Sequence, residues 1–302
     1  MMARAQANGI EIEYETFGDR GARPLLLIMG LGAQLVLWEE AFCAGLVERG
    51  HFVIRYDNRD VGLSTKLEQA GAPNVLEVMQ AAGAGRPVEA PYTLDEMADD
   101  AAGLLDALDL ESAHVVGASM GGMIAQTLVL RHADRVRSLT SIMSSTGNPD
   151  LPPPKPEPLQ ALLQPRAEER ESAIEQATSL QRLIGGTGFP FDVERTRRLA
   201  ALSYDRSFYP VGLTRQIAAV MASGNRKPAL ASVKAPTLVI HGDADPLVPL
   251  EGGQDTAQAI PGAELLVIEG MGHELPPQVW PRIIDAVSRH TEKAEAGRRR
   301  SD

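Results

Sequence analysis

Short apolar segments alternate with longer helical patterns along most of this chain, and this alternation limits the folds that it can adopt. Residues 25–29, 52–56 and 114–116 are apolar runs of strand length, and residues 94–108 carry apolar side chains at helical spacing. Further apolar runs occur at residues 138–143, 237–240 and 264–268. Strands that alternate with helices form a mostly parallel sheet that helices cover on both faces. The sequence therefore predicts an α/β fold, with residues 9–17 starting a hairpin at one edge of the sheet.

The regular alternation stops between residues 148 and 227. This segment opens with six prolines within residues 149–158 and continues with charged helical stretches. We interpret residues 148–227 as a helical cap inserted into a core domain that comprises residues 1–147 and 228–302. The cap holds five of the 11 Phe and Tyr residues of the chain, namely Phe189, Phe191, Tyr204, Phe208 and Tyr209. These rings either pack a small core within the cap or line an apolar pocket between cap and sheet.

Composition excludes several classes of function. The net charge of −11 disfavours binding to a phosphate backbone, so no nucleic-acid partner is expected. The single cysteine, Cys43, excludes a disulfide framework and a thiolate-rich metal site. No apolar stretch is long enough to span a membrane, and residues 1–9 lack the apolar core of a signal peptide. We expect a cytoplasmic enzyme with a solvated basic end at residues 298–300, and a homodimer is one open possibility.

A candidate nucleophile lies in residues 117–121, Gly-Ala-Ser-Met-Gly, which match the pattern G-x-S-x-G. A predicted strand precedes this pattern and a very apolar helix follows it. A serine on such a sharp strand–turn–helix connection needs very small neighbours two positions away, and Gly117 and Gly121 meet that need. The turn exposes the hydroxyl of Ser119 at a helix N-terminus, where negative charge is favoured. The pattern therefore indicates Ser119 as a nucleophile.

A serine nucleophile needs a base, and the base needs an orienting acid. Asp243 and Asp245 follow one predicted strand, and His273 follows the next strand along the chain. The order Ser, acid, His is that of the α/β-hydrolase triad. We predict His273 as general base and favour Asp245 over Asp243 as the acid. The alternative acid position, after the strand that ends at Met143, holds only Ser and Thr residues.

Hydrolysis also needs donors for the negative charge that develops on the substrate oxygen. We expect the backbone N–H groups of Met120 and Leu31 to form this oxyanion hole. The loop that holds Leu31 also resembles a dinucleotide fingerprint, but it lacks the third glycine and an acidic ribose partner. We therefore expect neither a nucleotide cofactor nor a metal ion. Candidate substrate-binding residues are Phe189, Phe191, Tyr204, Phe208 and Met143.

These motifs together resemble the α/β-hydrolase superfamily over nearly the whole chain. Residues 55–64 are similar to its D-x-R-G-x-G-x-S turn, although Asp60 stands where glycine is usual. Within the superfamily, the chain resembles the aclacinomycin methylesterase-like group of bacterial carboxylesterases. The stretches that carry this closer resemblance are residues 53–57, 113–117, 186–192 and 270–273. The resemblance implies cleavage of a small-molecule carboxylic ester by water through an acyl-enzyme, with no cofactor.

Other functions stay open on the same predicted triad. A lactone or enol-lactone hydrolase, a hydrolase of carbon–carbon bonds and a cofactor-free perhydrolase would all use Ser119, Asp245 and His273. A serine in place of an aspartate nucleophile argues against a dehalogenase or an epoxide hydrolase. A different class of protein, a ligand-binding receptor on a hydrolase fold, is the remaining alternative. An intact triad with two oxyanion donors argues against that receptor.

Overall fold

Eight strands form a single sheet within residues 2–298, the part of the chain that the computed structural model describes. The strands are β1 (Met2–Ala7), β2 (Ile10–Phe17), β3 (Arg23–Ile28), β4 (His51–Tyr56), β5 (Ala113–Ala118), β6 (Val136–Ile142), β7 (Thr237–Gly242) and β8 (Glu264–Ile268). Their order across the sheet is β1-β2-β4-β3-β5-β6-β7-β8. Strand β2 runs antiparallel to both β1 and β4, and the remaining pairs are parallel. The mostly parallel sheet is present. An edge hairpin is present as well, but residues 10–17 form its second strand instead of starting it, because β1 (Met2–Ala7) precedes them and takes the edge of the sheet.

Helices cover both faces of this sheet. They are α1 (Glu40–Glu48), α2 (Val75–Gly83), α3 (Leu94–Ala107), α4 (Met120–Arg131), α5 (Pro156–Leu163), α6 (Arg170–Ile184), α7 (Val193–Arg206), α8 (Pro210–Ser223), α9 (Lys227–Leu230), α10 (Leu250–Ala259) and α11 (Trp280–Arg298). Successive strand residues point to opposite faces. Leu25 of β3 therefore packs with Phe42 of α1 and Ile283 of α11. Its neighbour Leu26 packs with Ile124 of α4 on the other face.

Helices α5 to α8 lie within the segment that the sequence predicts to be an inserted cap. Helices α6 and α7 pack against each other above the sheet. Helix α8 also takes part in the core, because Ala219 is buried in the cluster around α3 and α4. Two other residues of α8, Ile217 and Ala218, pack with Val78 of α2. Helix α8 therefore packs against the core domain although it lies within the segment predicted to be the cap. The boundaries of the cap stay a prediction.

The C-terminal helix α11 is described as far as Arg298. Residues 299 and 300 of the predicted basic end lie outside the described residues. Within residues 2–298, no helix combines the length and the apolar character that crossing a lipid bilayer requires.

Candidate active site

Ser119 occupies the turn between β5 and α4, with a backbone φ of 56°. This left-handed conformation is strained for a residue with a side chain. A Cβ atom at Gly117 would overlap the carbonyl oxygen of Gly121, and a Cβ at Gly121 would overlap that of Ile28. Both positions therefore require glycine, for the reason that the sequence pattern indicates. The turn holds Ser119 at the N-terminal end of a 12-residue helix.

Ser119, His273 and Asp245 lie in one line of hydrogen bonds. The Oγ atom of Ser119 is 2.9 Å from Nε2 of His273, and Nδ1 of His273 is 2.8 Å from Oδ2 of Asp245. The other carboxylate oxygen of Asp245 accepts the N–H groups of Leu247 and Val248 at 2.9 and 2.8 Å. Because a carboxylate only accepts hydrogen bonds, Nδ1 of His273 carries the hydrogen that Asp245 accepts, and Nε2 is left to accept the hydroxyl hydrogen of Ser119. The structure thus brings together the three residues predicted from the sequence.

The loop that carries His273 packs against the segment that follows α6. The N–H of His273 donates to the carbonyl of Ile184 at 2.7 Å, and the N–H of Gly188 donates to the carbonyl of Gly270 at 3.0 Å. Asp243, the alternative acid, accepts the N–H of Gly270 at 2.7 Å and so closes this loop instead. Two of the stretches that carry the family resemblance therefore contact each other beside the triad.

The predicted oxyanion donors lie on either side of Ser119. Met120 is the first residue of α4, and Leu31 lies in the loop after β3. This loop approaches Ser119 closely, since a Cβ at Gly30 would lie 3.0 Å from Cβ of Ser119. Among the described residues, neither the N–H of Met120 nor that of Leu31 donates a hydrogen bond to another protein group. Both donors are thus available to a substrate oxygen.

Two buried amide side chains hold the loop between Met29 and Gly32, and the sequence analysis did not identify either. Asn58 donates from Nδ2 to the carbonyl of Met29 at 2.9 Å. Gln216 of α8 accepts the N–H of Gly32 at 2.8 Å and donates to the carbonyl of Arg59 at 2.9 Å. Gln216 is 184 residues away from Gly32 along the chain, so no spacing pattern links them.

A cavity of about 370 Å³ lies over Ser119 and His273. Its wall includes Leu31, Met143 and Phe191, three of the residues predicted for the oxyanion hole or for substrate binding. Most of the remaining wall is aliphatic, with Leu37, Leu162, Leu180, Ile184, Leu199 and Leu247. The cavity falls within the size range of small-molecule sites. It can hold an apolar group beside the nucleophile.

The other predicted aromatic residues lie outside this cavity. Phe189 packs against the core cluster on the α1 and α11 face. Tyr204 and Phe208, with ring centroids 4.8 Å apart, line a second cavity of about 170 Å³. This smaller cavity shares wall residues with the larger one, among them Leu31 and Arg166. The aromatic residues of the predicted cap are therefore divided between packing and the two cavities.

Among the described residues, the arginine and carboxylate side chains on the wall of the larger cavity are Arg166, Arg195 and Glu274. Arg195 forms an ion pair with Glu39, with 2.7 Å between Nε and Oε1. Glu274 accepts the N–H of Gly186 at 2.9 Å, and its burial raises the pKa of the carboxyl group. Burial lowers the pKa of the Arg166 guanidinium. No pattern in the sequence separates these three residues from surface charges.

The fold and this arrangement of side chains define an α/β hydrolase, and the chain belongs to that family. The family model described as alpha/beta hydrolase fold matches residues 23–277. The match includes both the turn that holds Ser119 and the loop that holds His273. The predicted fold is thereby confirmed.

Among similar proteins are two bacterial methylesterases. Rhodomycin D methylesterase DnrP of Streptomyces peucetius is 33% identical over 301 residues, which cover 93% of this chain and 94% of that protein. Rhodomycin D methylesterase DauP of Streptomyces sp. (strain C5) has the same identity and coverage. The solved structure of a meta-cleavage product hydrolase (CumD) from Pseudomonas fluorescens IP01 is similar in fold, with a TM-score of 0.74 and 22% identity over 97% of this chain and 98% of that chain.

Proposed function

We propose that this protein is a serine carboxylic ester hydrolase that uses Ser119 as its nucleophile. The observation that carries the proposal is the line of hydrogen bonds from Ser119 through His273 to Asp245 at the floor of an apolar cavity. Membership of the α/β-hydrolase family and two relatives named as methylesterases support the expectation of ester hydrolysis. The geometry supports the following roles for the individual residues.

In the first half of the reaction, Ser119 becomes acylated. Its Oγ atom attacks the ester carbonyl carbon while Nε2 of His273 accepts the hydroxyl proton. The carbonyl oxygen becomes an oxyanion, and the N–H groups of Met120 and Leu31 stabilise its charge. His273 then donates its proton to the leaving alkoxide, and the carbon–oxygen bond of the ester breaks. Asp245 stabilises the imidazolium ion that exists between these proton transfers.

In the second half, water regenerates the enzyme. His273 removes a proton from a water molecule, which attacks the acyl carbon bound to Ser119. The same two N–H groups stabilise the second oxyanion. His273 returns the proton to Oγ as the acyl bond breaks, and a carboxylic acid leaves. The two half-reactions together consume one ester and one water molecule and release one alcohol and one carboxylic acid.

Methyl esters are the first substrate class to test, because DnrP and DauP are both named as methylesterases. A methoxy leaving group is small, so the apolar cavity of about 370 Å³ would mainly hold the acyl part. Lactones, carbon–carbon substrates and peroxide remain the alternatives on the same triad. Rates with methyl esters and lactones of matched size would rank them. The cytoplasmic location and the oligomeric state stay predictions, which cell fractionation and light scattering would test.

The nucleophile can be tested with an organophosphonate that reacts with activated serines, followed by mass spectrometry. We expect one adduct per chain, on Ser119. Ser119→Ala should leave the fold intact and lower kcat by about 10⁴-fold or more, because members of a triad act as a unit. Ser144→Ala is a matched control, since its buried Oγ has no hydrogen-bond partner among the described residues. An adduct on another serine would overturn the assignment.

A further inference from the structure

Arg166 stands on the wall that the two cavities share. It lies in the connection between α5 and α6, above the apolar part of the larger cavity. Its side chain is half-buried, so a charged guanidinium is held next to aliphatic groups rather than in open water. An arginine keeps its charge at neutral pH even when burial opposes ionisation. The position therefore presents a fixed positive charge to whatever occupies the cavities.

The backbone on both sides of Arg166 is held in place by hydrogen bonds. The side chain of Gln176 accepts the N–H of Ala167 at 3.0 Å and donates to the carbonyl of Pro165 at 2.8 Å. The hydroxyl of Tyr204 donates to the carbonyl of Glu168 at 2.7 Å. A loop that is fastened in this way presents its side chain in a defined direction, which lowers the entropic cost of binding a ligand there.

Arg166 has no counter-ion in the part of the chain that the structure describes. No carboxylate oxygen within residues 2–298 lies within 4.0 Å of its guanidinium, which donates one long hydrogen bond, 3.5 Å, to the carbonyl of Leu162. Two other charged side chains of the cavities have ion-pair partners. Arg195 pairs with Glu39, and Asp60 of the smaller cavity pairs with a buried arginine. An uncompensated charge in an apolar wall is costly. The position of Arg166 therefore points to an anionic group of the substrate as its partner.

The wall of the larger cavity also has one acidic side chain, Glu274, at a different place from Arg166. Glu274 follows His273 directly, so its carboxylate lies beside the triad. An anionic group would be repelled at this end and attracted at Arg166. The two charges would thus orient a substrate, with its neutral ester at Ser119 and its anionic end at the shared wall.

We propose that Arg166 binds a carboxylate of the substrate, so that the preferred esters carry a second, ionised carboxyl group on their acyl part. This inference rests on the proposed ester hydrolysis by Ser119. The acyl part is the one that carries the charge, because a methoxy leaving group offers no place for it. A guanidinium matches a carboxylate geometrically, since two parallel N–H groups can bind its two oxygens.

A binding measurement tests this inference without turnover. Ser119→Ala protein is titrated calorimetrically with the monomethyl esters of succinic, adipic and suberic acid, and with the same esters in which an amide replaces the free carboxyl group. We expect at least one acid to bind about 10-fold or more tightly than its amide, the size of a charge-assisted hydrogen bond. Arg166→Gln in the same background should remove this difference, and Arg166→Lys should retain part of it.

Arg198→Gln is the matched control, because it removes an equal charge from α7 at a side chain that is 68% exposed. It should preserve the preference for the acid. With Ser119 intact, Arg166→Gln should raise KM for the preferred acid about 10-fold and change the rate on its neutral amide little, since the lost contact exists before and during the reaction. Unchanged turnover of the amide also shows that the variant folds.

The outcomes separate the two proposals. Equal binding of every acid and its amide, or a preference that Arg166→Gln leaves in place, overturns the role of Arg166 while Ser119-dependent turnover stands. A preference that depends on Arg166, together with no Ser119-dependent hydrolysis of any ester, supports the anion site and overturns ester hydrolysis.

Discussion

Asp243 and Asp245 follow β7 on the same turn, and the structure gives them different partners. Asp243 accepts the N–H of Gly270 and closes the loop that leads to His273. Asp245 accepts Nδ1–H of His273 with one oxygen and two backbone N–H groups with the other. A carboxylate with this environment can compensate the positive charge of an imidazolium without moving.

Asn substitutions at these two positions separate catalysis from loop closure. Asp245→Asn should lower kcat by about 10³- to 10⁴-fold with little change in KM, because an amide favours the wrong imidazole tautomer. Asp243→Asn keeps an acceptor for the Gly270 N–H and should lose less than about 10-fold. Steady-state kinetics on one methyl ester, with circular dichroism as a check on folding, gives the comparison. The reverse ranking would make Asp243 the acid.

A single methyl group at Gly121 should disturb both stability and catalysis. A Cβ there would overlap the carbonyl of Ile28, at the end of the strand that leads into the oxyanion loop. We expect Gly121→Ala to destabilise the protein by about 1–3 kcal/mol and to lower kcat by about 100-fold, the effect of displacing reacting groups by roughly 1 Å. Gly83→Ala at the end of α2 is the control, because a Cβ added at this position would have no atom within 4 Å among the described residues. Urea unfolding and steady-state kinetics should show no loss of stability or of kcat in Gly83→Ala.

At the scale of elements, buried ion pairs fasten α7 and α8 to the turn after β4. Arg215 of α8 pairs with Asp60 at 2.7 Å, and both side chains are fully enclosed. Arg206 at the end of α7 pairs with Asp57 at 2.6 Å. Asp60 is the residue that departs from the family turn, where glycine is usual, and it retains a positive φ of 67°. The carboxylate that Asp60 brings into this turn is therefore compensated by the guanidinium of Arg215 in α8.

The free energies that Asp60 and Arg215 contribute to folding should be coupled, because each side chain is the buried counter-ion of the other. Asp60→Asn tolerates the positive φ but leaves a buried guanidinium uncompensated, which should lower the free energy of unfolding by about 3–5 kcal/mol. Arg215→Gln should cost a similar amount. The double variant should lose less than the sum of the two, and a complete double-mutant cycle by urea denaturation measures that coupling. Strict additivity would mean that the pair contributes nothing specific.

The sequence predicted those parts of the site that local patterns determine. The turn around Ser119 follows from two glycines at fixed spacing, and His273 follows from its place after a strand. The supporting contacts of Gln216 and Arg215 could not be predicted, because they join α8 to loops more than 150 residues away. The role proposed for Arg166 has no sequence signal for a related reason, since the absence of a counter-ion among the described residues is a property of the packed structure. Phe189 was expected near a ligand on composition alone, and it packs, partly buried, against the core cluster on the α1 and α11 face.

At the scale of the whole molecule, four buried histidines link stability to pH. His51, His114 and His241 are fully enclosed and His290 is nearly so. Burial lowers the pKa of each imidazole below its ordinary value near 6.5. The unfolded chain therefore binds protons in a range where the native state does not. By linkage, the stability that these four histidines contribute is fully present above about pH 6.5 and is lost as the pH decreases below it.

The free energy of unfolding should accordingly fall between pH 7.5 and 5.5. Each histidine that stays neutral when native contributes a slope of up to about 1.4 kcal/mol per pH unit below its unfolded pKa. His290→Gln should reduce this slope by up to one such increment, because glutamine does not titrate and can still donate to the carbonyl of Pro236, the acceptor of Nε2. Urea titrations at several pH values measure both slopes. A wild-type stability that rises on acidification in this window would contradict the neutral burial of these rings.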